Sequence, residues 1–268
     1  VYPTRCEDLI VEIRDPRQPT VAEAEAMRAR CRRANIAIYA SHSGDDPDKE
    51  IPRRLGARLG LIHLDRNPEA DADAISSLTV RSDARHQGYI PYSNRPLAWH
   101  TDGYYNALDR RIFGMLLHCV QPAASGGENH LLDHEIVYLL LRDQDPEFIR
   151  ALMHPQTMTI PANVADGKEL RPERSGPVFS VHPDGHLHMR YTDRTRSIRW
   201  REDPVTTAAI SRLRAVLHGK TAWHFLAGLE AGWGLVTNNT LHTRTGFEDG
   251  AHPRLLYRAR YYDRVSDR

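Results

Sequence analysis

Apolar positions recur at helical spacing in some stretches of the chain and alternate, or run together, in others. Over residues 20–34, Val21, Ala24, Met27 and Cys31 recur every three or four positions, Thr20 stands where a cap would, and Glu23 follows three residues later. That pattern predicts a helix opened by a capping box. A second amphipathic stripe, Val205, Ala208, Ala209, Leu213 and Val216, predicts a helix over 204–217. Shorter helices are expected over 50–59, closed by Gly60, and over 133–141 and 145–152. Strands are expected at 35–40, 75–81, 112–120, 233–238 and 255–263, the 112–120 run being apolar throughout and so buried. Residues 156–200 read as hairpins, with turns at Asp166-Gly167, Ser175-Gly176 and Asp184-Gly185. No repeat, low-complexity linker or shift in composition marks a boundary, so a single domain over 1–268 is expected. It is mainly β with flanking α, a sandwich or jelly roll with helices at the N-terminus and in insertions.

Composition narrows the function. The chain has 268 residues, 40% of them hydrophobic, and a formal net charge of +1. That length buries a large core, and the near-neutral charge argues against a nucleic-acid or membrane-surface protein. No window reaches the roughly 18 apolar residues of a membrane span, and the first residues lack a signal-peptide layout, so a cytoplasmic location is expected. The three cysteines, Cys6, Cys31 and Cys119, are widely spaced without a CxxC pair; they suit a reducing compartment and not a thiolate zinc site. A homo-oligomeric state is compatible with the sequence.

The candidate chemistry begins at Trp99-His100-Thr101-Asp102-Gly103. In a strand running into a turn, His100 and Asp102 share a face about 6–7 Å apart, and an imidazole nitrogen and a carboxylate oxygen can converge on one metal ion. Far downstream, Asn238-Asn239-Thr240-Leu241-His242-Thr243-Arg244 offers a third ligand, His242, at another strand-to-loop position. Two histidines and one carboxylate occupy one face of an octahedral ion and leave three positions open. Beyond it, Arg254 and Arg258 share a face if 254–260 is a strand, and buried guanidinium groups call for an anion. Arg260 on the same strand reads as solvated. His118 reads as a packed core histidine, and the His182–His188 cluster as a hairpin turn, not a metal site. The run Arg190-Tyr191-Thr192-Asp193-Arg194-Thr195-Arg196 has two readings: a face toward an anionic substrate, with Arg196 as the candidate contact, or a charged connector. Tyr104, Tyr105 and Asn106 follow the ligand pair and are candidates for the pocket mouth.

Together, W-H-T-D-G, the S-G-G-E-N loop at 125–129, N-N-T-L-H-T-R and R-L-L-Y-R at 254–258 resemble, in order, the Fe(II)/2-oxoglutarate dioxygenases of the taurine dioxygenase and clavaminate synthase-like (TauD/TfdA) superfamily. The resemblance implies a double-stranded β-helix core, with iron held by His100, Asp102 and His242. It implies 2-oxoglutarate as co-substrate with its far carboxylate on Arg254, and molecular oxygen as oxidant. It places Asn129 where the family usually has Thr against that carboxylate, and Arg258 near the keto-acid end or an anionic substrate group. The implied reaction oxidises, most often hydroxylates, a C–H bond of a small anionic or amino-acid-like molecule and releases succinate and CO₂. Specificity is then expected from loops 82–98, 160–176 and 186–200. The alternatives are a metal-dependent hydrolase, for which no HExxH helix is present, and a non-catalytic cupin-like binding protein.

Overall fold

The apolar run at 112–120 does become a buried strand, Gly114–Gln121, at the middle of a six-stranded sheet. The computed structural model describes residues 1–66, 70–83, 89–165, 167–194 and 198–266. Two compact units emerge: Val1–Leu97 with Ile112–Leu131 and Phe225–Arg268, and Ala98–Arg111 with Leu132–His224.

In the first unit the six-stranded sheet runs Ile10–Ile13, Ile36–Ser41, Gly234–Thr237, Gly114–Gln121, Leu255–Tyr261, Ser76–Leu78. Only the first pair is parallel; Gly114–Gln121 sits antiparallel between Gly234–Thr237 and Leu255–Tyr261, with Leu116 opposite Val236 and Ala259. Because strand side chains alternate, the sheet feeds two cores. Leu116, Val120, Val236, Tyr257 and Ala259 pack with Met27, Cys31 and Leu55. Met115, Leu117, Cys119, Leu235 and Leu256 pack on the opposite face with Leu131, Phe225 and Ala227. The last three belong to strands of a second sheet, ordered Phe225–Ala227, Asn129–Leu132, Leu241–Arg244, Leu97–His100. Two sheets sharing one apolar layer is the expected sandwich.

The helix Val21–Ala34 opens on the expected capping box: Thr20 accepts from the Glu23 N–H and the Glu23 carboxylate accepts from the Thr20 N–H. It stops at Asn35 in the left-handed conformation (φ 57°), which asparagine tolerates. Its apolar stripe begins at Ala24, however; Val21, in the first turn, is exposed.

The second unit carries the helices His134–Gln144, Pro146–Leu152 and Pro204–His218, packed on one another, and a set of short hairpins. Asp133, Asp145 and Asp203 each cap one of these helices through a backbone N–H. The buried stripe of Pro204–His218 is Thr206, Ala209, Ile210, Leu213, Val216 and Leu217, so Val205 and Ala208 face outward, contrary to the sequence pattern. Ile210 and Leu217 are the bulkier anchors, and burying them rotates the helix by about one position. The hairpin Phe179–Val181 with Leu187–Met189 turns at Gly185 (φ 89°), as Asp184-Gly185 predicts, and His182 pairs with Asp184 in the turn. Among the described residues, no helix is long and apolar enough to cross a membrane.

Candidate active site

His100 is the last residue of the strand Leu97–His100, and Asp102 follows in a turn that Gly103 completes at φ 68°. Strand-like pairing holds this segment: the Thr101 N–H donates to the Tyr191 carbonyl (3.0 Å), the Tyr191 N–H to Thr101 Oγ1 (3.1 Å), and the Asp193 N–H to the Trp99 carbonyl (2.8 Å). Thr101 is thus spent on the scaffold, which leaves its two neighbours to point the other way.

His242 lies inside its own strand, Leu241–Arg244, and not at a strand-to-loop junction as its sequence context suggests. The chain leaves Gly234–Thr237 and reverses through Asn239 at φ 52°. The asparagine pair satisfies the backbone there: Asn239 Nδ2 donates to the Ile112 carbonyl (2.7 Å), and Asn238 Oδ1 accepts from the Val265 N–H (3.1 Å).

One imidazole nitrogen each of His100 and His242 and one carboxylate oxygen of Asp102 all lie within 4.8 Å of one another. All three residues are buried. His100 Nδ1 lies 2.9 Å from the Ala98 carbonyl, and His242 Nδ1 lies 3.0 Å from the Thr240 carbonyl. A carbonyl only accepts, so both Nδ1 atoms carry a proton, and in the neutral ring each Nε2 then presents a lone pair. Two imidazoles, each oriented by a backbone carbonyl, and one carboxylate form a donor set that suits a divalent metal with open positions.

Arg254, Arg258 and Arg244 are all buried in the first unit. The Arg254 backbone N–H donates to Asp249 Oδ1 (2.7 Å), but among the described residues no side chain or carbonyl takes a hydrogen bond from its guanidinium. That group lies 4.9 Å from the Phe247 ring and lines a pocket of about 200 Å³ with Pro122, Gly126, Gly127, Leu229 and Leu256. Burial lowers its pKa, and Cys119 and Asp249 oppose the shift. The two glycines of the S-G-G-E-N loop are needed for close approach as well as for their positive φ: a Cβ on Gly126 would sit 2.1 Å from the Gly246 carbonyl, and one on Gly127 would sit 3.2 Å from Arg254 Nε. The loop is tied down by Thr245, whose hydroxyl accepts from the Gly127 and Glu128 N–H groups and donates to the Glu128 carboxylate (2.5 Å). Asn129 is buried at the start of Asn129–Leu132, and among the described residues its Nδ2 makes no hydrogen bond.

Arg244 had no assigned role from sequence, yet it is a principal strut. Its guanidinium donates to the carbonyls of Ser93 (2.7 Å) and Arg95 (2.5 Å), just upstream of His100, and stacks 4.9 Å from Phe247 on its other side. Burial, with Arg254 and Arg258 nearby, pushes its pKa down to about 10. The signal in the sequence is its place two residues after His242, on the same face of a strand.

The remaining candidates divide. Tyr104 and Tyr105 are half-buried and meet edge to face at 5.2 Å. Asn106 closes its own loop, donating from Nδ2 to the Arg110 carbonyl (3.0 Å). Arg196 lies outside the described residues, as do 84–88, 166, 195 and 197 of the expected specificity loops. Two sequence readings are overturned. Arg260 is not solvated: it is 2% exposed and paired with Asp65, because its strand is interior to a sheet covered on both faces. Arg190 is neither a connector nor exposed; it is buried and donates to the carbonyls of Tyr104 (2.7 Å), Met158 (2.8 Å) and Arg174 (3.0 Å). His118 is the core residue expected, with Nδ1 2.9 Å from the Tyr39 hydroxyl and its pKa lowered to about 4, chiefly by burial.

A sandwich carrying two histidines and an aspartate in this arrangement defines the class of non-haem metal oxygenases with a facial ligand set. The chain belongs to the taurine catabolism dioxygenase TauD, TfdA family, whose model matches residues 43–260. It is therefore an Fe(II)- and 2-oxoglutarate-dependent oxygenase, and its fold is the double-stranded β-helix of that family. A uridine-5'-phosphate dioxygenase of Streptomyces sp is 30% identical over 211 residues, 74% of this chain and 71% of the relative. Among solved structures, AAD-2 in complex with Mn(II) and N-oxalylglycine superposes with a TM-score of 0.64 at 13% identity, covering 97% of this chain and 96% of that one. An asparagine oxygenase in complex with Fe(II), 2S,3S-3-hydroxyasparagine and succinate gives 0.62 at 13% identity, covering 94% and 93%.

Proposed function

We propose that the chain hydroxylates a C–H bond of a small anionic molecule, with iron held by His100, Asp102 and His242 and the distal carboxylate of 2-oxoglutarate held by Arg254. The observation that carries this reading is the convergence of three buried ligand atoms within 4.8 Å, with both histidine tautomers set by backbone carbonyls. Iron with 2-oxoglutarate and oxygen supplies the oxidising power, so that R–H, O₂ and 2-oxoglutarate become R–OH, succinate and CO₂.

The protein's own part is orientation and exclusion of water. The Ala98 and Thr240 carbonyls fix the two imidazole rings. Arg254, a buried charge without a hydrogen-bonded counter-ion among the described residues, is suited to a carboxylate arriving in its pocket, where two parallel hydrogen bonds would fix the angle of a chelating dicarboxylate. Asn129 Nδ2 is a second donor suited to the same group, and Arg258 supplies positive charge beside it. An anionic substrate is supported by the relative named for uridine 5'-phosphate.

Anaerobic protein mixed with Fe(II) and 2-oxoglutarate should develop the visible metal-to-ligand charge-transfer band, and oxygen should then yield succinate. Iron bound without the band or succinate would overturn the proposal and favour a binding protein; hydrolysis without oxygen consumption would favour a metal-dependent hydrolase.

A further inference from the structure

A buried arginine is ordinarily held in place by acceptors. Arg244 is held by the Ser93 and Arg95 carbonyls, and Arg260 by Asp65. Arg254 differs. It is 4% exposed, its backbone N–H is tied to Asp249 Oδ1, and among the described residues no acceptor takes a hydrogen bond from its guanidinium. A long side chain loose in a pocket has to be ordered when a ligand arrives, and that ordering costs affinity. Contacts of another kind meet this group. The guanidinium carbon lies over the Phe247 ring, 4.9 Å from its centre. Gly127 closes in as well, since a Cβ there would stand 3.2 Å from Arg254 Nε and 3.5 Å from Phe247 Cβ.

Phe247 is a fixed platform. It is 6% exposed, its N–H donates to the Asn94 carbonyl (3.1 Å), and its backbone pairs with Gly126. A second guanidinium carbon, that of Arg244, also lies 4.9 Å from the ring centre. All of these residues belong to the unit formed by Val1–Leu97, Ile112–Leu131 and Phe225–Arg268. An aromatic face is electron-rich and attracts a guanidinium. The N–H donors of a guanidinium lie in its own plane, so a ring beneath that plane steadies the group without using any of them. A carboxylate or carbonyl in the same place would hold Arg254 too, but it would occupy the fork that an incoming carboxylate needs. An aliphatic side chain would fill the space and attract neither cation.

We infer that Phe247 is a positioning residue for the co-substrate: its ring orients the Arg254 guanidinium before 2-oxoglutarate binds and leaves the N–H fork open to the distal carboxylate. This rests on the assignment of Arg254 to that carboxylate and deepens it. Phe247 acts through Arg254, and Arg244, anchored on the 93–95 backbone, steadies the ring in turn.

The test is calorimetric titration of 2-oxoglutarate into the full, anaerobic, Fe(II)-loaded chain, with Fe(II) affinity and urea denaturation measured on the same samples. Phe247→Leu removes the ring and keeps an apolar side chain. It should raise the 2-oxoglutarate dissociation constant about three- to tenfold, the scale of one arginine side chain ordered on binding, and leave Fe(II) affinity unchanged. Under turnover the KM for 2-oxoglutarate should rise by the same factor while kcat at saturation is kept. Phenylalanines carrying one, two or three ring fluorines, incorporated at position 247, keep the shape and withdraw the negative potential of the face, so affinity should fall stepwise with fluorine number. A ring that serves only as packing gives no such series, and the series stands even where Phe247→Leu folds poorly. The inference is overturned if the fluorinated proteins bind 2-oxoglutarate within about twofold of wild type, or more tightly. It is also overturned if Phe247→Leu folds but loses binding as completely as Arg254→Gln, because the effect would then exceed positioning. Arg254→Gln, titrated alongside, tests the assignment beneath. If it binds as the wild type does, Arg254 is not the co-substrate site and both ideas fall; if it loses binding while the proteins altered at 247 do not, only the role of Phe247 falls.

Discussion

Replacing Arg254 by glutamine should separate ligand affinity from stability. The guanidinium is 4% exposed, and its hydrogen-bonding capacity is not used by any described residue of the protein. Truncating one member of a buried charge pair costs about 2–5 kcal/mol of binding, which converts to a roughly 30- to several-thousand-fold rise in the dissociation constant of 2-oxoglutarate. The unliganded protein should respond quite differently. Arg254→Gln removes a charge whose burial is unfavourable and gives up one cation–π contact with Phe247, of about 0.5–2 kcal/mol. These oppose each other, so the unliganded variant should unfold within about 1 kcal/mol of wild type. The assay is chemical denaturation with and without co-substrate, alongside titration of the visible band under nitrogen. At a hundred times its dissociation constant, 2-oxoglutarate should stabilise the wild type by about 2.7 kcal/mol and the variant, at the same concentration, by less than about 1 kcal/mol. A variant whose 2-oxoglutarate affinity stays within threefold of wild type would remove Arg254 from the co-substrate site. A variant that unfolds far more readily without ligand would show that the guanidinium is structural.

Three further perturbations follow from the same geometry. Asp102→Ala should lose the charge-transfer band and succinate formation together, read by anaerobic spectroscopy and a succinate assay; retention of both would exclude Asp102 as a ligand. Arg190→Met should destabilise the fold by about 3 kcal/mol in urea denaturation, because one buried and two part-buried carbonyls lose a charged donor while one desolvated charge is relieved; a loss below about 1 kcal/mol would contradict the strut role. His118 is neutral when folded, with its pKa lowered from 6.5 to about 4, so the unfolded chain takes up its proton first as pH falls. The stability it contributes is complete above about 6.5 and is lost progressively down to about 4, up to about 3 kcal/mol in all. The stability advantage of wild type over His118→Gln should therefore narrow by up to that amount between pH 7 and pH 4. An unchanged gap across that range would mean that His118 titrates normally.

How much was legible before folding depended on the range of the interaction concerned. The capping box of Thr20 and Glu23, the turn at Asp184-Gly185 and the helix stop at Gly60 rest on contacts within a few residues, and each appears where the pattern places it. The spacing of His100 and Asp102 was informative for the same reason: a strand's alternation sets which neighbours share a face. The apolar run at 112–120 could only be buried, and it lies at the centre of the main sheet.

Contacts between distant segments were not legible, because composition does not say which groups will meet. Arg260 looks like any charged residue near a strand end until the sheet encloses it and Asp65 arrives from far upstream. Arg190 sits in a run of charges that reads equally well as surface, and only the meeting of three backbones makes it a strut. Val205 and Ala208 match the helical period as well as Ile210 and Leu217 do, and the bulkier pair takes the core because it removes more apolar area from water. The sequence by itself determined the local elements and the identity of a plausible donor set. The tertiary structure alone decided that His242 meets His100 and Asp102, which ring nitrogen of each histidine its backbone engages, and that one arginine lines a pocket with its guanidinium donors unspent on any described residue. Alternation and capping act within a few residues, whereas burial, charge pairing and ligand geometry depend on what the folded chain brings alongside.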